Sequence, residues 1–90
     1  MTIIRDIEYL TQLFKILAYI KKDKLSSAKK FEKELNNKIK ALIHSPYQHR
    51  KSYYFEDEAY RDLIYIGYTV IYKVEYERIL ILEIFKWQER

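Results

Sequence analysis

Ninety residues, an apolar content of 49%, no cysteine and a net charge of +4 bound what this chain can be. They allow a single domain, 1–90, since chains divide at roughly 100–200 residues per unit, with a thin core, because so short a chain buries only about 60–65% of its unfolded surface. They exclude disulfide bracing and thiolate metal sites. No segment approaches the ~20 apolar residues of a membrane helix, and Arg5, Asp6 and Glu8 interrupt the early apolar run of a signal peptide, so no membrane association and a cytoplasmic location are expected.

Residues 2–4 are β-branched and predict a short first strand. Asp6 is placed to cap the helix that follows. On that helix Ile7, Leu10, Phe14 and Leu17 recur with helical spacing, with Leu13 and Ile20 widening the stripe. Lys21 and Lys22 suit the negative end of its dipole, and Asp23-Lys24 marks the break. Ser26 or Ser27 is expected to cap a second helix, whose apolar face is Ala28, Phe31, Leu35, Ile39 and Leu42. Pro46 ends it, and the short connection predicts an antiparallel helical hairpin.

The segment 45–58 does not repeat and reads as a surface loop, carrying Tyr47, His49, Arg50, Lys51, Tyr53 and Tyr54 ahead of the acidic cluster Glu56-Asp57-Glu58. Loops carry function disproportionately. Three strands close the chain. The first alternates Ala59, Arg61, Leu63 and Tyr65 against Tyr60, Asp62, Ile64 and Ile66. Gly67, the only glycine, marks a tight turn. Tyr68, Val70, Tyr72 and Val74 then share one side of the next strand, and Tyr76-Glu77 turns into a last strand over 79–85. That strand is apolar apart from Glu83, so it is expected to be central and covered on both faces. The architecture expected is α+β: a first strand, a two-helix hairpin and a three-stranded antiparallel meander.

Charge divides along the chain. Residues 1–51 hold twelve Lys/Arg against five Asp/Glu, and residues 52–90 hold five against eight. A basic helical half suits a polyanion or an acidic protein; the alternative is a solvated lysine face. His44 and His49 straddle a proline at a spacing poor for zinc, and one glycine cannot build a phosphate loop, so neither metal nor cofactor is expected. The ten tyrosines could stack on bases, but at alternating strand spacing half-buried sheet positions are the weightier reading. His49, Arg50 and Lys51 before the sheet, Arg61 on it, and Lys86 and Arg90 at its end could converge on one concave face. Such a face would hold a phosphate by guanidinium forks and ammonium charge. The alternative is cations scattered over the surface.

With these elements in order, the chain resembles the RelE/ParE superfamily of bacterial type II toxins. The resemblance is carried by the IIRDIEYLTQLFKIL helix, by FEKELNNKIKALIHSP, by Tyr60-Arg61-Asp62-Leu63, and above all by GYTVIYKVEYERILILEIF. It implies a cytoplasmic toxin neutralised by a cognate antitoxin, in a toxin–antitoxin hetero-oligomer. It also implies one of two activities: inhibition of DNA gyrase without nuclease chemistry, or metal-free mRNA cleavage on the ribosome. Arg50 matches an Arg of the loop after the second helix, although His49 stands where Gly is usual. Arg61 matches the Arg opening the second strand of many ParE-like sequences. Nuclease members tend to carry paired lysines there, an Arg after Gly-Tyr, and Arg, His or Tyr after the last strand; this chain has Tyr60 and Asp62, Thr69, and Lys86-Trp87-Gln88-Glu89-Arg90. A ParE-like binder is therefore the leading expectation, with Arg50, Lys51 and Arg90 meeting the target. The alternative enzyme, an mRNA endoribonuclease, would use Arg61, Lys86 and His49; a non-toxic binding module of the same shape is the third reading.

Overall fold

The computed structural model describes residues 1–86. Strand β1 (Thr2–Arg5) leads into helix α1 (Ile7–Asp23), then α2 (Leu25–Ala41), β2 (Arg50–Lys51), β3 (Tyr60–Tyr65), β4 (Tyr68–Glu75) and β5 (Arg78–Lys86). The sheet order is β1-β5-β4-β3-β2. β1 runs parallel to β5, from Thr2 opposite Arg78 to Arg5 opposite Ile81, and the other pairings are antiparallel. The expected first strand, helical hairpin and meander are all present. Among the described residues no helix is long and apolar enough to cross a membrane.

Local chemistry sets the helix ends. The Asp6 carboxylate accepts the Glu8 amide at 2.8 Å and caps α1. Lys24, extended at φ −158° and ψ 119°, both ends α1 and precedes α2, so the cap expected from Ser26 or Ser27 is replaced by backbone alone. α2 stops at Ala41, short of Pro46. Hydrogen-bonded turns follow it, with the Ile43 and His44 amides reaching Lys40 O and Ala41 O.

Helices cover one face of the sheet. Ala28, Phe31, Leu35, Ile39 and Leu42 are buried as expected. On α1 the expected stripe holds in part: Leu13, Leu17 and Ile20 pack on the core, joined by Tyr9 and Ile16, while Ile7, Leu10 and Phe14 are exposed, so the buried face is rotated from the expected one. The Asp6 amide is tied to Ile81 O at 2.8 Å. That tie fixes the rotation at which α1 leaves β1, and the helix carries apolar residues on both candidate faces.

The segment expected as a surface loop covers the opposite face of the sheet. Tyr54 meets Phe85 edge-on at 5.4 Å, and Phe55 stacks on Tyr60 at 4.2 Å. Ser52 is buried, its amide bonded to Tyr60 O. Consequently β4 is the middle strand and is buried on both sides from Tyr68 to Tyr72, whereas Leu80, Leu82 and Glu83 of β5 are only partly covered. β5 is internal, as expected, because β1 pairs with its outer edge; full cover on both faces does not follow, because the covering segment meets Phe85 through Tyr54 and leaves Leu80, Leu82 and Glu83 partly exposed.

Candidate functional site

The sequence-predicted residues lie at two ends of the sheet. The first group lies at the β2–β3 edge. Arg50 opposes Asp62, and Lys51 opposes Arg61, so the two guanidinium groups start from opposite faces of the sheet. Arg50 donates from Nε and Nη2 to Asp62 Oδ2 at 3.3 and 3.2 Å, and its head lies 3.6 Å from the centre of the Tyr53 ring. The Tyr53 amide donates to the same oxygen at 3.1 Å. Asp62 thus fastens both the two-residue strand and the covering segment to β3.

Arg61 faces the helical side. Its Nε donates to Glu58 O at 2.9 Å and its Nη1 to His49 O at 3.3 Å, while its head lies 4.8 Å from the Tyr47 ring centre. Tyr72, opposite Arg61, donates its hydroxyl to Pro46 O at 2.7 Å and receives the His49 ring edge-on at 6.1 Å. Burial drives the Tyr72 hydroxyl up to about 12, against the lowering effect of Arg61. His49 is lowered from its ordinary 6.5, first by burial and then by the Lys38 charge. It is therefore neutral at pH 7, with a ring nitrogen able to accept a proton. Lys51 and Arg61 are the cations beside neutral His49, with Tyr47 against the Arg61 head and the Lys38 charge within range of the ring.

Lys86 stands at the other end. It opposes Tyr68, which in turn opposes Tyr65. Arg61 lies four residues along β3 from Tyr65 and two strands across, which places its Cα roughly 16 Å from that of Lys86. The Lys86 ammonium lies 5.3 Å from the Tyr19 ring centre. It lines a groove of about 560 Å³ with Gln12, Lys15, Ile16 and Tyr68 among others. Gln12 closes the floor by accepting the Ile84 amide at 2.7 Å. Arg90 lies outside the described residues.

The expected convergence of Arg50, Arg61 and Lys86 in one concave hollow is therefore corrected. The face beneath the helices is filled by Tyr9, Leu13, Phe31, Leu35 and Ile39 against Leu63, Val70 and Ile81. Hydrocarbon at that density leaves no seat for a hydrated phosphate. What the structure brings together is His49, Lys51 and Arg61; Lys38 of α2 is near enough for its charge to act on His49, while its ammonium lies 5.7 Å from the Tyr65 ring centre. Sequence reasoning missed Lys38 and Asp62. A signal for Asp62 was present: a lone carboxylate alternating with Tyr60 and Ile64 on one side of a strand needs a cationic or amide partner if that position is covered.

A model of the family described as ParE toxin of type II toxin-antitoxin system, parDE, matches residues 8–89. Among solved structures the chain is similar to one titled "Chromosomal ParDE TA system from P. aeruginosa". The two share 21% identity over 96% of this chain and 95% of that one, with a TM-score of 0.78. No curated protein matches.

Proposed function

The chain belongs to the ParE toxin family of type II toxin–antitoxin systems, and on that premise we propose that it arrests growth by binding a nucleic-acid-processing target, DNA gyrase, rather than by cutting RNA. One observation carries the choice between the two activities: Arg61 and Lys86 stand roughly 16 Å apart at opposite ends of the sheet. Metal-free cleavage needs a base for the 2′-hydroxyl, an acid for the leaving oxygen and cations around one phosphate, all within hydrogen-bond reach. His49 has the protonation state of a base, but Arg50 is committed to Asp62, and two Arg61 nitrogens are turned to backbone carbonyls. Lys38, Lys51 and the outer face of Arg61 form the surface assigned to the target, where exposed charge speeds encounter. A cognate antitoxin, expected in the same cytoplasm, would hold the toxin in a hetero-oligomer.

Supercoiling by purified gyrase tests this reading. Inhibition is expected from the parent chain, with a weaker effect from Lys51→Ala and Lys38→Ala. Normal supercoiling at saturating toxin, together with new mRNA 5′ ends after induction that vanish in Arg61→Ala, would assign the nuclease activity instead. Growth arrest relieved by co-expression of the neighbouring gene tests the antitoxin.

A further inference from the structure

The outer face of α2 carries positive charge and nothing to offset it. About 100° separates successive residues of a helix, so Ser26, Lys29, Lys30, Lys33, Asn36, Asn37 and Lys40 fall within roughly 60° either side of Lys33. Phe31, Leu35 and Ile39, all buried, occupy the opposite side. Asn36 is half-buried and the others of this sector are exposed. The acids of the helix flank it at about 100°. Glu34 accepts the Tyr65 hydroxyl at 2.6 Å, and Glu32 lies near enough for its charge to act on buried Tyr9, so both belong to the packed side. Among the described residues the ion pairs join Arg50 to Asp62, and Lys73 and Arg78 to Glu75; none takes in Lys29, Lys30, Lys33 or Lys40. Across the hairpin, exposed Lys21 and Lys22 stand with the single carboxylate of Asp23.

A solvated lysine face is the ordinary reading of such a stripe, and two features go against it. The exposed face of a soluble helix is commonly laced with acid–base pairs at i, i+4. Here Lys29 and Lys33 stand at i, i+4 and Lys30 and Lys33 at i, i+3, so like charges are held together at a cost to the helix. The residues between the lysines are hydroxyl and carboxamide donors, which together with lysine are the groups that contact phosphate oxygens. What the sector lacks selects among polyanions. It has no apolar residue, so it is not the face an amphipathic helix lays into a membrane. It has no aromatic ring on which the splayed bases of single-stranded RNA would stack. The deep, narrow major groove of duplex RNA excludes side chains, whereas that of B-DNA, about 12 Å wide, admits a helix. From Lys29 to Lys40 the helix rises about 17 Å, a length over which each DNA strand presents about five phosphates.

We propose that the outer face of α2 docks on the phosphate backbone of double-stranded DNA, without reading its sequence, through Lys29, Lys30, Lys33 and Lys40. The surface is separate from the one assigned to gyrase, and the inference does not depend on the toxin reading. Fluorescence anisotropy of a labelled duplex of about 20 base pairs, titrated with the full chain at several salt concentrations, tests it. Binding should weaken with salt, and the slope of log K against log salt should be about −3.6, one phosphate for each lysine. Lys29→Gln/Lys33→Gln should flatten that slope by about 2 and weaken binding in about 50 mM salt at least tenfold. Its circular dichroism melt should match the parent's, since Gln equals Lys in helix propensity. Lys73→Gln/Arg78→Gln removes the same charge from the β4–β5 end of the sheet and should change affinity by less than about threefold, because distant surface charge is screened. Absence of binding in about 50 mM salt up to the solubility limit, a slope near zero, or equal losses from the two double variants would overturn the proposal. Tighter binding of single-stranded RNA of the same length would also overturn it and give the stripe to RNA; tighter binding of polyglutamate would give it to an acidic protein.

Discussion

Removing the Asp62 carboxylate tests whether one buried side chain holds the β2 edge in place. In Asp62→Ala the Tyr53 amide loses a charge-assisted bond of 3.1 Å, worth about 1.5–3 kcal/mol. The Arg50 pair is also lost, at 3.2 Å; because the Arg50 side chain is 38% exposed, solvent screening limits its share to about 0.5–1 kcal/mol. Against these losses, Asp62 Oδ1 is buried without a hydrogen-bond partner, and relieving that desolvation returns about 1 kcal/mol. The net cost is about 2 kcal/mol, which for a domain of this size lowers Tm by roughly 8–16 °C. Thermal denaturation followed by circular dichroism measures it. Hydrogen exchange locates it: the Tyr53 amide, and the Ser52 amide now bonded to Tyr60 O, should lose protection before β4 does. Asp62→Asn keeps an acceptor for Arg50 and Tyr53 and should cost less than half as much. An Asp62→Ala variant melting within about 2 °C of the parent, with Tyr53 still protected, would refute the clamp. Weakened gyrase inhibition in the same variant would tie the clamp to placement of Lys51.

Ile66 sits at φ 45° before Gly67 at φ 81°, in a turn that wants two left-handed residues; Ile66→Asn should raise stability by about 1 kcal/mol by removing β-branched strain, read as a higher melting temperature. Leu13→Ala should cost about 2–4 kcal/mol in denaturant titration, whereas Phe14→Ser on the bare side of α1 should change monomer stability by less than about 0.5 kcal/mol; reversed magnitudes would mean that α1 packs in the other phase. His49 is lowered in the folded state from 6.5, so below that pH the unfolded chain binds the extra proton and stability falls as pH drops. His49→Gln should flatten that part of a stability–pH profile above the carboxylate range. Tyr72→Phe leaves Pro46 O without its 2.7 Å partner and should cost about 1 kcal/mol, with exchange rising first in the turn after α2.

The order of elements was legible because each carries its own local signal. Alternation in Tyr68, Val70, Tyr72 and Val74 gave a strand, Gly67 a tight turn, and Ala28, Phe31, Leu35 and Ile39 one helical face. The meander and the hairpin follow from short connections and need no long-range information. The family was legible for the same reason, since GYTVIYKVEYERILILEIF is a contiguous pattern.

Three matters waited for the tertiary structure. The phase of α1 could not be read because Ile7, Leu10 and Phe14 repeat as regularly as Tyr9, Leu13 and Ile16; the parallel pairing of β1 with β5 and the Asp6–Ile81 bond chose between them. The role of segment 45–58 could not be read because Asp62, which holds Arg50 and Tyr53 in place, lies 12 residues from Arg50, and an irregular segment has no period to reveal its partner. The separation of Arg61 from Lys86 could not be read because it is set by the two strand registers taken together. Sequence alone determines which backbone states and which apolar faces are available, since those depend on neighbours a few residues away. Which apolar face is buried, and which charges share a surface, depends on pairings between distant segments, and these only the folded chain decides.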